Sequence, residues 1–137
     1  MLVIAMLLVS LSVPGYSAFT ERAKIARAVG DIESLGHAID QFRLAHDDRI
    51  PLTLGELGVD IPDDPWGLPY EFLIIDAADP GKGEFRKDGK INRLNSDFDL
   101  YSRGKDGDSK GPLNAKASRD DVVRANNGAF IGLGEDY

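Results

Sequence analysis

The sequence predicts an α+β protein in which one long amino-terminal helix precedes several short strands. Two observations carry that reading. The first twenty residues, MLVIAMLLVSLSVPGYSAFT, hold no charged side chain and run into an amphipathic pattern with no loop signal between them. Most glycines and prolines fall after residue 50, so a helical first third gives way to a turn-rich remainder.

The opening stretch is long enough at about 1.5 Å per helical residue to reach roughly 30 Å, the thickness of a bilayer core. Its wholly apolar part, Met1 to Val9, is short, Ser10 and Ser12 interrupt it, and Pro14-Gly15 follow, where a break or kink is expected. A signal peptide fits poorly: no Lys or Arg precedes the apolar run, and a cut after Ala18 puts Tyr16 where a small residue is needed. Two readings remain, a plain transmembrane anchor and a helix that sits in a bilayer first and packs against copies of itself later.

From Glu21 onward, Ile25, Val29, Ile32, Leu35, Ile39 and Phe42 are spaced by three or four, which is one face of a helix. Pro51 forces Ile50 out of helical geometry. The expected organisation is an apolar helix half over residues 1–20 and a globular part over residues 21–137 that includes the amphipathic half 21–48. A helix of more than forty residues is too long for so small a domain to cover, so its free portion must be buried in lipid or in other subunits.

After the helix, residues 52–58 read as a short turn placing Leu54 and Leu57 on the core. Residues 62–69 hold Pro62, Pro65 and Pro69 around Trp66, an ordered turn with Trp66 as its anchor. Tyr70 to Ile75 reads as a strand, Asp79 to Gly83 as a loop, and the stretch around Phe85 to Leu94 as a weak polar strand or hairpin arm. Asp97 to Ser102 alternates polar with apolar, which predicts a strand with Phe98 and Leu100 facing inward. Ser102 to Asn127 is hydrophilic and reads as one long loop. The tail 128–133 offers apolar anchors before the acidic end.

Composition limits what such a chain does. Its 137 residues leave room for one compact domain, and all 23 acidic and 16 basic residues lie beyond residue 20. The net charge of -7 thus belongs to the polar part and disfavours nucleic acid and anionic lipid as partners. With no cysteine, disulfides, thiolate zinc sites and thiol catalysis are excluded. His37 and His46 are nine residues apart on one helix with no nucleophile motif beside them, so both read as surface or packing residues and the chain as a non-enzyme.

Carboxylates gather around the long loop, in Arg103-Gly104-Lys105-Asp106-Gly107-Asp108 and in Arg119-Asp120-Asp121. Hard oxygens on a glycine-rich backbone suit Ca²⁺, which takes six to eight oxygen ligands including main-chain carbonyls. A solvated acidic loop is the alternative. The helix-loop-helix calcium pattern does not apply, because Lys110 stands where a third oxygen ligand belongs and Ala117 where the closing glutamate should be. Any calcium site must be discontinuous, and in a chain without cysteine it would pin the loop to the domain.

The run from Met1 through Pro14-Gly15-Tyr16 to Ala23-Lys24-Ile25-Ala26-Arg27-Ala28 resembles the amino-terminal helix of type IV pilin-like proteins. Pro65-Trp66-Gly67-Leu68-Pro69-Tyr70 and Phe98-Asp99-Leu100-Tyr101-Ser102-Arg103-Gly104-Lys105-Asp106-Gly107 are similar to two signatures of the major pseudopilins of type II secretion systems. The resemblance implies a long helix packed on a small antiparallel β-sheet and a calcium-binding loop after the FDLYS-like strand. It implies Asp106 as a side-chain ligand, Arg103 and Asp108 as carbonyl donors, and Asp120 and Asp121 at the later aspartates. It also implies subunits that wait in the inner membrane and are extracted by an assembly platform, with minor pseudopilins, into a helical homopolymer. The leader, the methylated first residue and the family's glutamate near the mature terminus have no counterpart here, which places Met1 several residues inside the mature helix. Val122 to Tyr137 extends beyond the family's usual end.

The expected function is that of a structural subunit of a periplasmic or surface filament, stabilised by calcium, with the inner membrane as its location before assembly. A type IV pilus subunit for adhesion or motility is the alternative. A membrane-tethered calcium-binding domain that does not assemble is the third reading.

Overall fold

A computed structural model describes residues 2–75, 85–89 and 92–137, with side chains from Gly15 onward. Helix α1, Leu2–Ala45, is one element of 44 residues. The break expected at Pro14-Gly15 does not interrupt it: a proline removes one backbone donor, and the helix continues on both sides. The apolar run ahead of Gly15, with the membrane half assigned to it, lies outside the described side chains. Among the described residues no helix is long and apolar enough to cross a membrane.

The amphipathic half forms as its spacing predicts. Ala28, Ile32, Leu35 and Ile39 are buried, with Ile25 and Val29 packed beside them. Nearer the amino terminus, Tyr16 and Phe19 are 73% and 70% exposed among the described residues. The helix stops at Ala45, three residues short of the expected 48, because Asp47 and Asp48 take left-handed backbone angles, φ 54° and 64°. Asp tolerates that region better than most residues. The Asp48 N–H then reaches back to the Arg43 carbonyl at 2.8 Å, and its carboxylate meets the Arg43 guanidinium at 2.6 Å.

The turn after α1, Leu54–Leu57, is a 3₁₀ turn that lays Leu54 and Leu57 on the core, as expected. The proline-rich stretch closes on itself: the Asp64 N–H donates to the Leu68 carbonyl at 2.7 Å, and Asp64 Oδ1 accepts from the N–H groups of Trp66 and Leu68. Trp66 packs against the helix cluster and donates its indole N–H to Glu21 at 3.2 Å, which fastens this turn to α1.

The strands are β1 (Glu71–Ile74), β2 (Lys87–Asp88), β3 (Asn92–Arg93), β4 (Phe98–Ser102), β5 (Val122–Ala125) and β6 (Phe130–Leu133). The main sheet is antiparallel in the order β1-β4-β5-β6, and β2 pairs with β3 in a hairpin. Thus the α+β reading with one helix on a small antiparallel sheet holds. The expected strand at 70–75, the hairpin within 85–94 and the strand at 97–102 are all present. The loop expected at 79–83 lies outside the described residues.

Two expectations require correction. Ser102 to Asn127 is not one loop, since Val122–Ala125 is a wholly buried interior strand, and the tail 130–133 is the edge strand beside it. Val122 and Val123 are the β-branched pair that makes this possible. The alternation in β4 also understated its burial, because every residue of it is buried. Phe98 and Leu100 face the helix cluster as expected, while Tyr101 joins Leu94, Leu113, Val123 and Ala125 in a second cluster. The hairpin and the segment 109–118 thus supply a third layer over the far side of the sheet.

Candidate metal centre

The end of β4 turns sharply into the carboxylate region. Ser102 Oγ accepts the Gly104 N–H at 3.0 Å and donates to Asp64 at 2.6 Å. Gly104 has φ +68°, and a Cβ there would stand 2.1 Å from the Asp120 carbonyl oxygen, so only glycine lets the two segments meet this closely. The Asp106 N–H then donates to Asp120 Oδ2 at 3.0 Å, and the Asp108 N–H to Asp106 Oδ1 at 3.0 Å.

The second segment arrives rigidly. A 3₁₀ turn, Lys116–Ser118, precedes it; the buried Ser118 hydroxyl donates to the Lys110 carbonyl at 2.6 Å and accepts the Lys110 N–H at 2.8 Å. From the chain's end the Gly134 N–H reaches the Asp121 carbonyl at 2.8 Å and the Glu135 N–H the Arg119 carbonyl at 3.2 Å. Asp120 and Asp121 therefore project from a corner held on both sides at the start of β5.

One carboxylate oxygen from each of Asp106, Asp120 and Asp121 lies within 4.8 Å of the others. Asp106 is exposed, Asp120 half-buried and Asp121 fully buried. Asp120 Oδ1 and Asp121 Oδ1 have no hydrogen-bond partner among the described residues. Burial is the main cause that pushes Asp121 up to about 7 from its ordinary 3.8, with the Asp120 and Asp106 charges adding to it. Burial likewise raises Asp120, again with the Asp106 charge beside it. Leaving buried carboxylate oxygens unpaired is costly, and a hard cation among the three removes both the vacancy of partners and the mutual repulsion. The donor set therefore fits Ca²⁺.

Of the residues expected here, the structure brings the side chains of Asp106, Asp120 and Asp121 together. Arg103 and Asp108 were expected through their main-chain carbonyls, and their side chains are engaged elsewhere: the Asp108 carboxylate accepts the Ser109 N–H at 2.9 Å, and the Arg103 guanidinium pairs with Glu71 at 2.7 Å. Two participants went unread in the sequence. The Ser109 hydroxyl donates to Asp121 Oδ2, and Arg86, on the approach to the hairpin, comes within 3.8 Å of the same oxygen. Neither carries a local motif; only the tertiary fold brings residue 86 to residue 121. The histidines are on the surface, as expected, His46 stacked on Phe42 with ring centroids 4.0 Å apart.

No family profile matches the chain. Comparison with characterised proteins is decisive. The chain is 31% identical over 131 aligned positions to type II secretion system core protein G of Aeromonas hydrophila, covering 79% of this chain and 78% of that relative. It belongs to the core protein G family, the major pseudopilins of type II secretion. A second member, core protein G of Pseudomonas aeruginosa, is 27% identical over 135 positions, covering 82% of this chain and 81% of the relative. The pseudopilin resemblance of the two downstream signatures is thereby borne out. In this core protein G relative both signatures are structural: the first forms the Trp66 turn that docks on α1, and the second forms β4 and the Gly104 turn that presents Asp106.

Proposed function

We propose that this pseudopilin is a structural subunit that polymerises through its amino-terminal helix into a filament serving type II secretion, and that calcium stabilises its globular part. The observation that carries the assembly reading is the uncovered helix. The domain's core begins at Ile25, and Tyr16 and Phe19 ahead of it present aromatic surface to water. Such a surface is stable only when covered, by the inner membrane before assembly and by neighbouring helices afterwards. Minor pseudopilins and an inner-membrane platform are the partners in this reading.

For the cation, Asp106, Asp120 and Asp121 supply carboxylates, and Arg103 and Asp108 supply main-chain carbonyls. When bound, Ca²⁺ contributes charge neutralisation and a cross-link between the turn after β4 and the corner before β5. The chain itself holds that corner in place through Ser118 and Gly134 and leaves two oxygens free to ligate.

The absence of cysteine makes the assembly test clean. The double variant Tyr16→Cys/Phe19→Cys, treated in cells with a short bismaleimide, should give a ladder of cross-linked oligomers. A monomer band alone under conditions of active secretion would sink the filament reading. For calcium, thermal unfolding of the full chain in detergent should show a higher midpoint with Ca²⁺ than with chelator, a difference that Asp106→Ala removes; an unchanged midpoint refutes it.

A further inference from the structure

The guanidinium of Arg86 stands behind the carboxylate cluster. Nη1 lies 3.8 Å from Asp121 Oδ2, the oxygen that also accepts the Ser109 hydroxyl, and donates in addition to Ser109 Oγ and the Lys110 carbonyl. Nη2 donates to the Tyr101 hydroxyl at 2.5 Å, and the guanidinium carbon sits 3.8 Å over the Tyr101 ring. The side chain is therefore held on several sides, and Arg86 is only 6% exposed, with Asp121 fully buried. A guanidinium stays charged across the whole range in which proteins are folded, and a buried charge is screened little by salt.

The other charged groups around Arg86 do not cancel it. Asp99 Oδ2 accepts the Arg86 backbone N–H at 2.8 Å while its other oxygen takes the Asn95 amide, and burial raises its pKa. Arg103, on the same side of the sheet, is engaged with Glu71. Among the described residues Arg86 is the cation paired with Asp121, while Lys105, Lys116 and Arg119 line the open side beside Asp106 and Asp120.

With all three carboxylates ionised around a cation they carry three negative charges, and the buried guanidinium of Arg86 returns one. We propose that Arg86 is a specificity-determining residue that sets the net charge of the metal centre to that of a divalent ion and so disfavours trivalent ones. It acts through Asp121: by engaging the Oδ2 side it leaves Oδ1 as the oxygen without a partner, and by its charge it repels a 3+ ion by one more unit interaction than a 2+ ion. At roughly 6 Å and an effective permittivity of about 20, that difference exceeds tenfold in relative affinity. The inference rests on the cation reading given under Proposed function.

The test is isothermal titration of the full chain in detergent with CaCl₂ and, separately, TbCl₃. Arg86→Gln should shift the ratio of the two dissociation constants toward Tb³⁺ by at least about tenfold, and Arg86→Lys should hold it within about threefold. A residue with only a structural role weakens both ions by one common factor, so an unmoved ratio in Arg86→Gln overturns the proposal, as does a Tb³⁺-ward shift in Arg86→Lys. Should Arg86→Gln not fold, Ser109→Asp, which adds a negative charge beside Asp121, must move the ratio in the same direction, and failure to do so overturns it equally. Binding of neither ion by the unaltered chain removes the cation site together with this inference, whereas intact binding with a fixed ratio removes this inference alone.

Discussion

The two faces of the central sheet are built on different principles. The helix side is an interlock of Ala28, Ile32, Leu35 and Ile39 with Tyr70, Phe98, Leu100 and Val122. The far side mixes a smaller apolar cluster with buried Arg86, Asn95, Asp99, Ser118 and Asp121. One face draws most of its stability from removing apolar area from water, beside the Arg124–Asp97 ion pair whose guanidinium lies over Phe98. The other depends on every polar group finding a partner, and two of its atoms, Arg86 Nε and Asp121 Oδ1, find none within the described chain. The sheet is common to both, so the weaker face sets the conditions under which the whole domain survives.

That contrast can be broken most forcefully on the helix side. Phe98→Ala should cost about 3–5 kcal/mol, read as a shift in denaturation midpoint, and the loss should be the same with calcium and with chelator. A loss that calcium repairs would show the two faces to be one unit. Gly104→Ala comes next, since it forces a left-handed angle on alanine and a Cβ into the Asp120 carbonyl. We expect about 2–3 kcal/mol of destabilisation together with a weakened calcium response.

On the far face, pH supplies a finer probe. Asp121 has a folded value of about 7 against an ordinary 3.8, so its contribution to stability is fully present below about 3.8 and is lost as pH rises through 7. Without metal the chain should unfold at a lower temperature at pH 8 than at pH 5. With saturating Ca²⁺ the difference should shrink or reverse, because the ion binds the deprotonated carboxylate. Asp121→Asn should flatten the metal-free profile between pH 5 and 8. At the small end, His37→Ala should leave the midpoint within about 0.5 kcal/mol, because the residue is exposed on the outer helix surface.

The helix face was legible in the sequence because a period of three to four over six apolar residues has few competing explanations. The strand β4 was legible for the same reason at period two, yet the pattern hid Asp99 and Tyr101, whose burial depends on a third layer that no local signal announces. Val122-Val123 was overlooked because the hydrophilic residues around it outweigh two valines in any short window. At the candidate metal centre the aspartates could be proposed from composition and family likeness, but Arg86 and Ser109 could not. Their part is set by tertiary placement, which brings residues 23 and 35 positions apart onto one carboxylate group and one hydroxyl.

The hydrogen bond from Gly134 to the Asp121 carbonyl has a temporal meaning. It ties the end of the last strand to the corner that presents two of the three carboxylates, while Ser102 and Asp64, far earlier in the chain, brace the turn that presents the third. Synthesis runs from one end, so the Ser118 brace can form first and the corner gains its second brace only once residue 134 has emerged. A chain cut short before residue 134 would carry all three aspartates and still lack one of the two braces that hold Asp120 and Asp121 in position.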